Sequence, residues 1–268
     1  RPESRYPYFY PRDGACASGL LAYLSTSDLP VADDAYELLK SIASFVLKIL
    51  RGDGYIGQRY SLSSEEKSVY KQEDNNAHGL IILCNYLLTA EARGESIQDI
   101  DRFLLSINNA SQFAIKNYYR PEINLFHSTT SIHESALEEG FSCWTNFAYL
   151  KAFTLVSRVN DDLDTPDIIS DKILAFKSAF KHNLFSIMVS NKRFLRRIDK
   201  RGNYDFKPDF TLLSPFYFGF GNEDKVLLDN SVTFLERQLW DPELGMIQRY
   251  LPFSGDIEIH THAGNGPW

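Results

Sequence analysis

Apolar residues along the chain follow two alternating patterns. Some segments are apolar on every side, as in residues 79–88, which read GLIILCNYLL. Others place apolar residues three and four positions apart, as in residues 35–50. The first pattern predicts a helix surrounded by protein, and the second predicts a helix with one face in solvent. The chain therefore alternates between predicted inner and outer helices.

Four such pairs follow one another. The predicted inner helices cover residues 14–24, 79–88, 141–153 and 212–220, and the outer ones cover 35–50, 97–118, 168–185 and 223–240. A period of roughly 55 to 75 residues indicates a repeat architecture of helical pairs. No hydrophilic linker divides the chain, so we expect an all-α fold with one domain over residues 1–268.

Short β-prone segments connect each outer helix to the next inner one. They are GYIGQRY (54–60), INLFHS (123–128), RFLRRI (193–198) and GMIQRY (245–250). We predict short β arms at these positions.

Charged residues collect just before the predicted inner helices, in YPRDG (10–14), KQEDN (71–75) and LEEG (137–140). In a closed ring of helix pairs, these loops converge on one mouth, and a pocket on a rigid scaffold is a usual place for a site. An alternative is that Asp13, Asp74 and Glu139 only cap helices or face their dipoles.

Composition narrows the class of partner. The chain has 268 residues and a formal net charge of −7, and no basic run stands out, which disfavours a nucleic-acid partner. No apolar run reaches the roughly 20 residues of a membrane span. Three widely spaced cysteines, Cys16, Cys84 and Cys143, predict buried free thiols and favour the cytoplasm.

Carboxylates, arginine and aromatic rings together suit carbohydrate chemistry. Sugars present fans of hydroxyls to charged groups and an apolar face to aromatic rings. Hydrolysis of a glycosidic bond needs two carboxyl groups, one of which acts as an acid. We therefore expect an oligosaccharide or polysaccharide substrate and no cofactor or metal ion.

Six segments resemble glycoside hydrolase family 15, in particular its bacterial and archaeal branch. They occur in the family's order: YPYFYPRDGA (6–15), QRY (58–60) followed by QED (72–74), LEEGFSCWTNFA (137–148), DFTLLSPFYFGF (209–220), GMIQRY (245–250) and GNGPW (264–268). The resemblance implies an (α/α)6 barrel, of which about four helix pairs are present. It also implies an inverting, exo-acting α-glucoside hydrolase, a glucoamylase-like enzyme that releases glucose from non-reducing ends.

The same resemblance implies roles for individual residues. Glu138 would be the general acid, although Leu137 replaces the family's Trp and leaves the choice between Glu138 and Glu139 open. Glu139 would assist on the leaving-group side. The implied substrate-binding residues are Tyr6, Tyr10, Arg12, Asp13, Gln72, Glu73, Asp74, Glu139, Trp144, Arg249, Tyr250 and Trp268.

The family's catalytic base is a Glu that follows the region matching GNGPW, so we expect it beyond Trp268 and expect residues 1–268 alone to be inactive. Three alternatives remain: a trehalose- or isomaltose-specific hydrolase of the same family, a non-catalytic glycan-binding or regulatory barrel, and another (α/α)6 family such as a lyase.

Overall fold

Helices form most of the chain in the computed structural model, which describes residues 7–130, 137–163, 170–243 and 245–248. Eight α-helices lie within these residues. They are α1 (Pro11–Ser25), α2 (Ala32–Ile49), α3 (Asn75–Arg93), α4 (Ile100–Asn117), α5 (Cys143–Asp162), α6 (Asp171–Ile187), α7 (Ser214–Tyr217) and α8 (Lys225–Leu239). Seven of them lie where the apolar pattern predicts a long helix, so the helical class of the fold is confirmed.

Short strands lie between the helices. The strands of the described residues are β1 (Tyr8–Phe9), β2 (Tyr60–Ser61), β3 (Tyr119–Arg120), β4 (Leu125–Phe126), β5 (Ser128–Thr130), β6 (Leu137–Ser142), β7 (Val189–Ser190), β8 (Arg193–Phe194), β9 (Arg197–Asp199), β10 (Tyr204–Asp205), β11 (Trp240–Asp241) and β12 (Met246–Ile247). Three hairpins, each built from two strands of two residues, follow outer helices. They are β3–β4, β7–β8 and β11–β12. Strands are therefore present in the predicted arms at 123–128, 193–198 and 245–248, whereas only Tyr60 of the arm at 54–60 lies in a strand.

The contacts of the chain group into two compact units. The first unit comprises Arg1–Tyr118 and Leu150–Ala179. In it α1 packs against α2 and α3, and α3 also packs against α4. Of the predicted inner segment 79–88, every residue is buried except Asn85 and Leu88, which are half-buried.

The second unit comprises Tyr119–Tyr149 and Phe180–Trp268. Its antiparallel sheet has the strand order β10-β9-β6-β5, and β6 leads directly into α5. The aromatic core beside the sheet includes Phe126, which stacks on Tyr149 with ring centroids 3.8 Å apart. Phe147 contacts Phe185 and Phe194 edge to face, each at 5.5 Å.

Two predicted inner helices differ from the structure. Leu20 and Tyr23 on α1 are 60% and 71% exposed, so α1 has one solvent face rather than none. Residues 212–220 form a 3₁₀ turn and the single-turn helix α7 instead of one helix. Gly219, at φ +86°, ends that turn because a left-handed residue does not continue a right-handed helix.

Asparagines near the start of two helices hold the preceding β arm. The Asn146 side chain accepts from Phe126 N at 2.8 Å and donates to Phe126 O at 3.0 Å. Asn76 does the same for the first arm, accepting from Ile56 N and donating to Gly54 O. These bonds satisfy backbone groups that the short strands leave unpaired inside the protein.

Candidate active site

A buried ion pair joins the start of α1 to the start of α3 in the first unit. Arg12 Nη2 lies 2.9 Å from Asp74 Oδ2, and the two side chains are 13% and 3% exposed. His78, one turn along α3, places Nε2 3.2 Å from the same Asp74 oxygen. Asp74 occupies the N-cap position of α3 but its side chain makes no capping bond. Asp74 therefore does not cap α3 through its side chain, and the alternative that it faces the helix dipole stays a prediction.

Burial and charge act in opposite directions on Asp74. Burial would raise the pKa of this carboxyl, but Arg12 and then His78 outweigh that effect and hold the pKa well below its usual range. Asp74 is therefore a carboxylate at neutral pH and fixes the position of the Arg12 guanidinium.

The other two residues of the QED segment are also buried. Gln72 and Glu73 are 4% and 2% exposed. With its amide oxygen turned towards Arg12, Gln72 accepts from Nη2 at 2.6 Å and from Nη1 at 3.0 Å. Lys71 Nζ lies 3.7 Å from Glu73 Oε1. Gln72 and Asp74 of this segment thus hold the Arg12 guanidinium, and Glu73 faces Lys71.

The remaining described candidates of the first unit, Tyr10 and Asp13, lie at the start of α1. Asp13, in the first turn of α1, is exposed. The Tyr10 hydroxyl accepts from Arg59 Nη1 at 3.4 Å, and the Arg59 guanidinium lies 4.8 Å from the centre of the Tyr8 ring. A carboxylate, a guanidinium and two phenol rings thus share the amino-terminal end of α1.

Three carboxylates surround one guanidinium in the second unit. Arg196, which precedes β9, forms an ion pair with Glu138 of β6 through Nη2. Its Nη1 lies 2.7 Å from Asp205 Oδ2, and its Nε lies 2.6 Å from Asp209 Oδ2. Asp205 also accepts from Arg197 Nε at 3.1 Å. We call Glu138, Arg196, Asp205 and Asp209 the Arg196 cluster.

The side chains of the Arg196 cluster are almost completely buried. Arg196 is 3% exposed and Asp209 is 0% exposed. Burial would lower the pKa of Arg196, but Asp209, Glu138 and Asp205 outweigh it and raise the pKa above its usual value. Burial would raise the pKa of Asp205, yet Arg196 lowers it. The guanidinium of Arg196 thus holds three carboxyl groups from separate parts of the chain together.

Glu139 has surroundings unlike those of its neighbour. Glu138 is buried, while Glu139 is exposed and bonds to Lys200 Nζ at 2.7 Å. His127 Nε2 lies 3.6 Å from the other oxygen of Glu139. Lys200, with a smaller contribution from His127, lowers the pKa of Glu139. Glu139 lies in a strand and not at a helix start, so the capping alternative is wrong for Glu139 also.

Trp144, in the first turn of α5, is buried in the second unit. It is 3% exposed, and its ring centroid lies 5.1 Å from that of Tyr217 and 4.9 Å from that of Phe218. These contacts join the start of α5 to α7. Tyr217 itself is 46% exposed, so an aromatic face remains accessible beside Trp144.

Most partners of the Arg12–Asp74 pair, of the Arg196 cluster and of Glu139 were not predicted from the sequence. His78, Arg196, Asp205, Asp209 and Lys200 were not among the candidates. Arg196 lies in the β arm RFLRRI, and Asp205 and Asp209 lie in YDFKPDF, four residues apart. The signal available in the sequence was this pair of acidic residues shortly after the basic β arm.

Four sequence candidates lie outside the described residues, namely Tyr6, Arg249, Tyr250 and Trp268. Their roles stay predictions, as does the convergence of all candidates on one mouth. Among the residues that the structure describes, no group of three His, Cys, Asp or Glu side chains could hold a metal ion. Over the same residues, no helix combines the length and the apolar character that crossing a bilayer requires.

Two of the three cysteines have the predicted environment. Cys84 and Cys143 are buried, and burial raises the pKa of both thiols. Cys16 is exposed on the solvent face of α1, so the prediction of a buried thiol is wrong there.

Solved structures of carbohydrate-active proteins share the fold. A wild-type glycosidase matches 96% of this chain and 67% of its own, with TM-score 0.60 and 16% identity. The cellobiose 2-epimerase from Bacillus thermoamylovorans B4167 matches 93% of this chain and 66% of its own, with TM-score 0.61 and 10% identity. A bacterial glucoamylase complexed with acarbose matches 91% of this chain and 35% of its own, with TM-score 0.57 and 15% identity.

The chain thus spans about two thirds of the glycosidases it matches and about one third of the glucoamylase. No protein-family model and no curated protein matches it. At these identities the likeness defines the fold, which is the helical, (α/α)6-type fold found in this group of structures.

Proposed function

We propose that this chain carries active-site residues of a glycoside hydrolase of the glucoamylase-like type. The protein would release glucose from the non-reducing ends of α-glucans or α-gluco-oligosaccharides with inversion at the anomeric carbon. The observation that carries the proposal is the Arg196 cluster. It holds Glu138 almost completely buried on β6, the strand that leads into α5. The glycosidases and the glucoamylase with the same fold support the class of reaction.

Glu138 is the proposed general acid. Glu138 lies on β6, the strand that leads into α5, whereas Asp209 of the same cluster is fully buried. As general acid, Glu138 would pass a proton to the glycosidic oxygen as the bond to the anomeric carbon breaks. Arg196 would then stabilise the Glu138 carboxylate that remains.

Arg12 and Asp13 are the proposed ligands of the terminal glucose. Asp74 and Gln72 hold the Arg12 guanidinium in place, so its donors are fixed before a sugar arrives. Asp13 is exposed one residue further along α1 and offers a carboxylate to sugar hydroxyls. Tyr10, with its hydroxyl oriented by Arg59, adds an aromatic face.

The remaining candidates have supporting roles in the proposal. Glu139, Arg249, Tyr250 and Trp268 would contact the substrate around the cleaved bond and the terminal glucose, and the buried Trp144 would support the start of α5 from behind Tyr217 and Phe218. A second carboxyl group would activate the attacking water, as inversion requires. None of the described residues is assigned this role.

Replacement of Glu138 by Gln tests the proposal. In the protein expressed from its complete reading frame, we expect Glu138→Gln to lower kcat on maltose by roughly 10²- to 10⁴-fold, because general-acid catalysis contributes about that much. KM should change little, since Gln keeps the size and polarity of the side chain. Steady-state glucose release measures both constants.

Glu139→Gln is the matched control, because it makes the same chemical change one residue away on an exposed side chain. We expect a far smaller loss of kcat from it. An unchanged kcat in Glu138→Gln would refute the assignment of the acid. A larger loss in Glu139→Gln would transfer the role of acid to Glu139.

A further inference from the structure

His78 is a buried titratable side chain that has no part in the roles proposed above. It lies on α3, one turn after Asp74, and its side chain is 2% exposed. Its Nε2 atom lies 3.2 Å from Asp74 Oδ2. Arg12 Nη2, which comes from α1, lies 2.9 Å from that same oxygen. One carboxylate oxygen therefore joins the imidazole on α3 to the guanidinium on α1.

The contact with Asp74 fixes where the imidazole of His78 carries a proton. Asp74 is a carboxylate at neutral pH, because Arg12 and His78 hold its pKa low. A carboxylate accepts hydrogen bonds but donates none. Nε2 of His78 must therefore carry a proton and donate it to Asp74 Oδ2.

This hydrogen bond restricts the Asp74 carboxylate. A carboxylate can turn about the bond that joins it to its side chain, because terminal torsions of this kind have broad minima. His78 opposes that turn from a helix position whose neighbours, Ala77 and Gly79, are buried as well. The oxygen that receives Arg12 is therefore held from behind by a rigid helix, as the supporting residues of a precise binding site require.

We propose that His78 is a positioning residue for the terminal glucose, acting through Asp74 on Arg12. The inference rests on the proposed function and adds a residue that lies outside the motifs singled out in the sequence. With the Asp74 carboxylate oriented by His78, the Arg12 guanidinium meets the sugar hydroxyls in one geometry. Sugar binding then does not have to order that guanidinium first.

His78→Leu and His78→Gln test the role in the protein expressed from its complete reading frame. Leu removes the donor, whereas Gln places a donor nitrogen close to the position of His78 Nε2. We expect His78→Leu to raise KM for maltose roughly tenfold, since a hydrogen bond to a charged group contributes about that factor. The value of kcat should change little, because Arg12 binds the sugar and does not transfer the proton. His78→Gln should restore most of the affinity.

Asn85→Leu is the matched control. Asn85 lies further along α3, and its Nδ2 donates to Ser18 Oγ of α1 at 3.0 Å. This substitution also removes a polar contact between α3 and α1, but it does not touch Asp74. KM for maltose should therefore stay at the wild-type value, even where the stability falls as much as in His78→Leu.

The Asp74→Asn protein tests whether the effect of His78 passes through Asp74. Two substitutions on one route are not additive, whereas independent ones are. We expect Asp74→Asn to raise KM and the addition of His78→Leu to raise it no further. Additive increases would overturn the proposal, and so would an unchanged KM in His78→Leu alone.

Side-chain NMR of Arg12 separates this inference from the proposed function, because it needs no hydrolysis. A guanidinium held by a fixed carboxylate gives separate, sharp Nη–H signals, and Arg12→Lys identifies them by their loss. Broadening of these signals in His78→Leu, but not in Asn85→Leu, supports the positioning role even where no glucoside is cleaved. Identical Arg12 signals in His78→Leu and in the wild type would overturn it even where maltose is hydrolysed.

Circular dichroism checks the fold of each variant. Where His78→Leu does not fold, His78→Asn replaces it, because its shorter amide does not extend to the position of His78 Nε2. The same rise in KM and the same broadening of the Arg12 signals are then expected. Wild-type values of both in His78→Asn would count against the proposal.

Discussion

Single charged residues inside this protein are held in place by partners far away in the sequence. Asp74 depends on Arg12, which lies 62 positions earlier, and Glu138 depends on Arg196, which lies 58 positions later. A buried charge that loses its partner is costly, so these pairs couple the fold to the proposed chemistry.

Asp74→Asn should reveal this coupling through pH. The folded-state pKa of Asp74 is lowered, so its contribution to stability is present above the unfolded pKa of about 4 and is lost as the pH falls towards the folded value. We expect Asp74→Asn to lower the free energy of unfolding by about 3 kcal/mol at pH 7, with a smaller difference at pH 3. Urea denaturation at both pH values measures it.

Asp28→Asn provides the comparison, because Asp28 is exposed in the turn between α1 and α2. Its effect on the free energy of unfolding should be within about 0.5 kcal/mol at both pH values. Equal losses in the two variants, or a loss in Asp74→Asn that does not change with pH, would contradict the account of the buried pair.

Thiol reactivity should differ among the three cysteines. Cys16 is exposed, whereas Cys84 and Cys143 are buried with raised pKa values and few thiolates at neutral pH. Brief treatment of the native protein with iodoacetamide at pH 7.5 should label Cys16 alone, as read by peptide mass spectrometry. Early labelling of Cys84 or Cys143 would contradict the burial of that thiol.

The elements that carry the candidate residues depend on a few backbone positions. Gly140 separates the two glutamates of β6 from α5 and has φ +151°. A Cβ atom at this position would lie 2.3 Å from Ile198 O of the neighbouring strand β9. Only glycine therefore allows β6 and β9 to approach, and this approach brings Glu138 to Arg196.

Gly140→Ala should lower the free energy of unfolding by about 3 kcal/mol, the upper part of the usual range for one substitution. Gly19→Ala is its counterpart, because Gly19 lies inside α1 with no atom within 4 Å of an added Cβ. It should raise the stability by about 0.5–1 kcal/mol, since alanine favours a helix more than glycine does. Thermal denaturation compares the two, and a neutral Gly140→Ala would contradict the close packing of β6 on β9.

At the scale of helices and strands, the sequence predicts local structure better than it predicts pairing between residues far apart in the chain. The outer segment 97–118 corresponds to α4, Ile100–Asn117, because amphipathic spacing is a local property of the chain. The strand β6 was not predicted, because it exists through pairing with β9, about 57 residues later. The Arg196 cluster escaped prediction for the same reason.

At the scale of the whole molecule, the helical class of the fold follows from the alternation of two helix types. The solvent face of α1 could not be predicted, since its sequence is apolar throughout and only the surrounding packing decides which side is covered. The motifs resembling family 15 name Glu138, Arg12 and Asp13 directly. The structure adds the partners that hold Glu138 and Arg12.

The stereochemistry of the first product tests the central claim most directly. Proton NMR would follow maltose, isomaltose, trehalose and dextran during hydrolysis by the protein expressed from its complete reading frame. An inverting α-glucoside hydrolase must release β-glucose before mutarotation equilibrates the anomers. Initial release of the non-reducing glucose as the β-anomer from at least one of these substrates, abolished by Glu138→Gln, is the predicted result, and its release as the α-anomer would contradict the account.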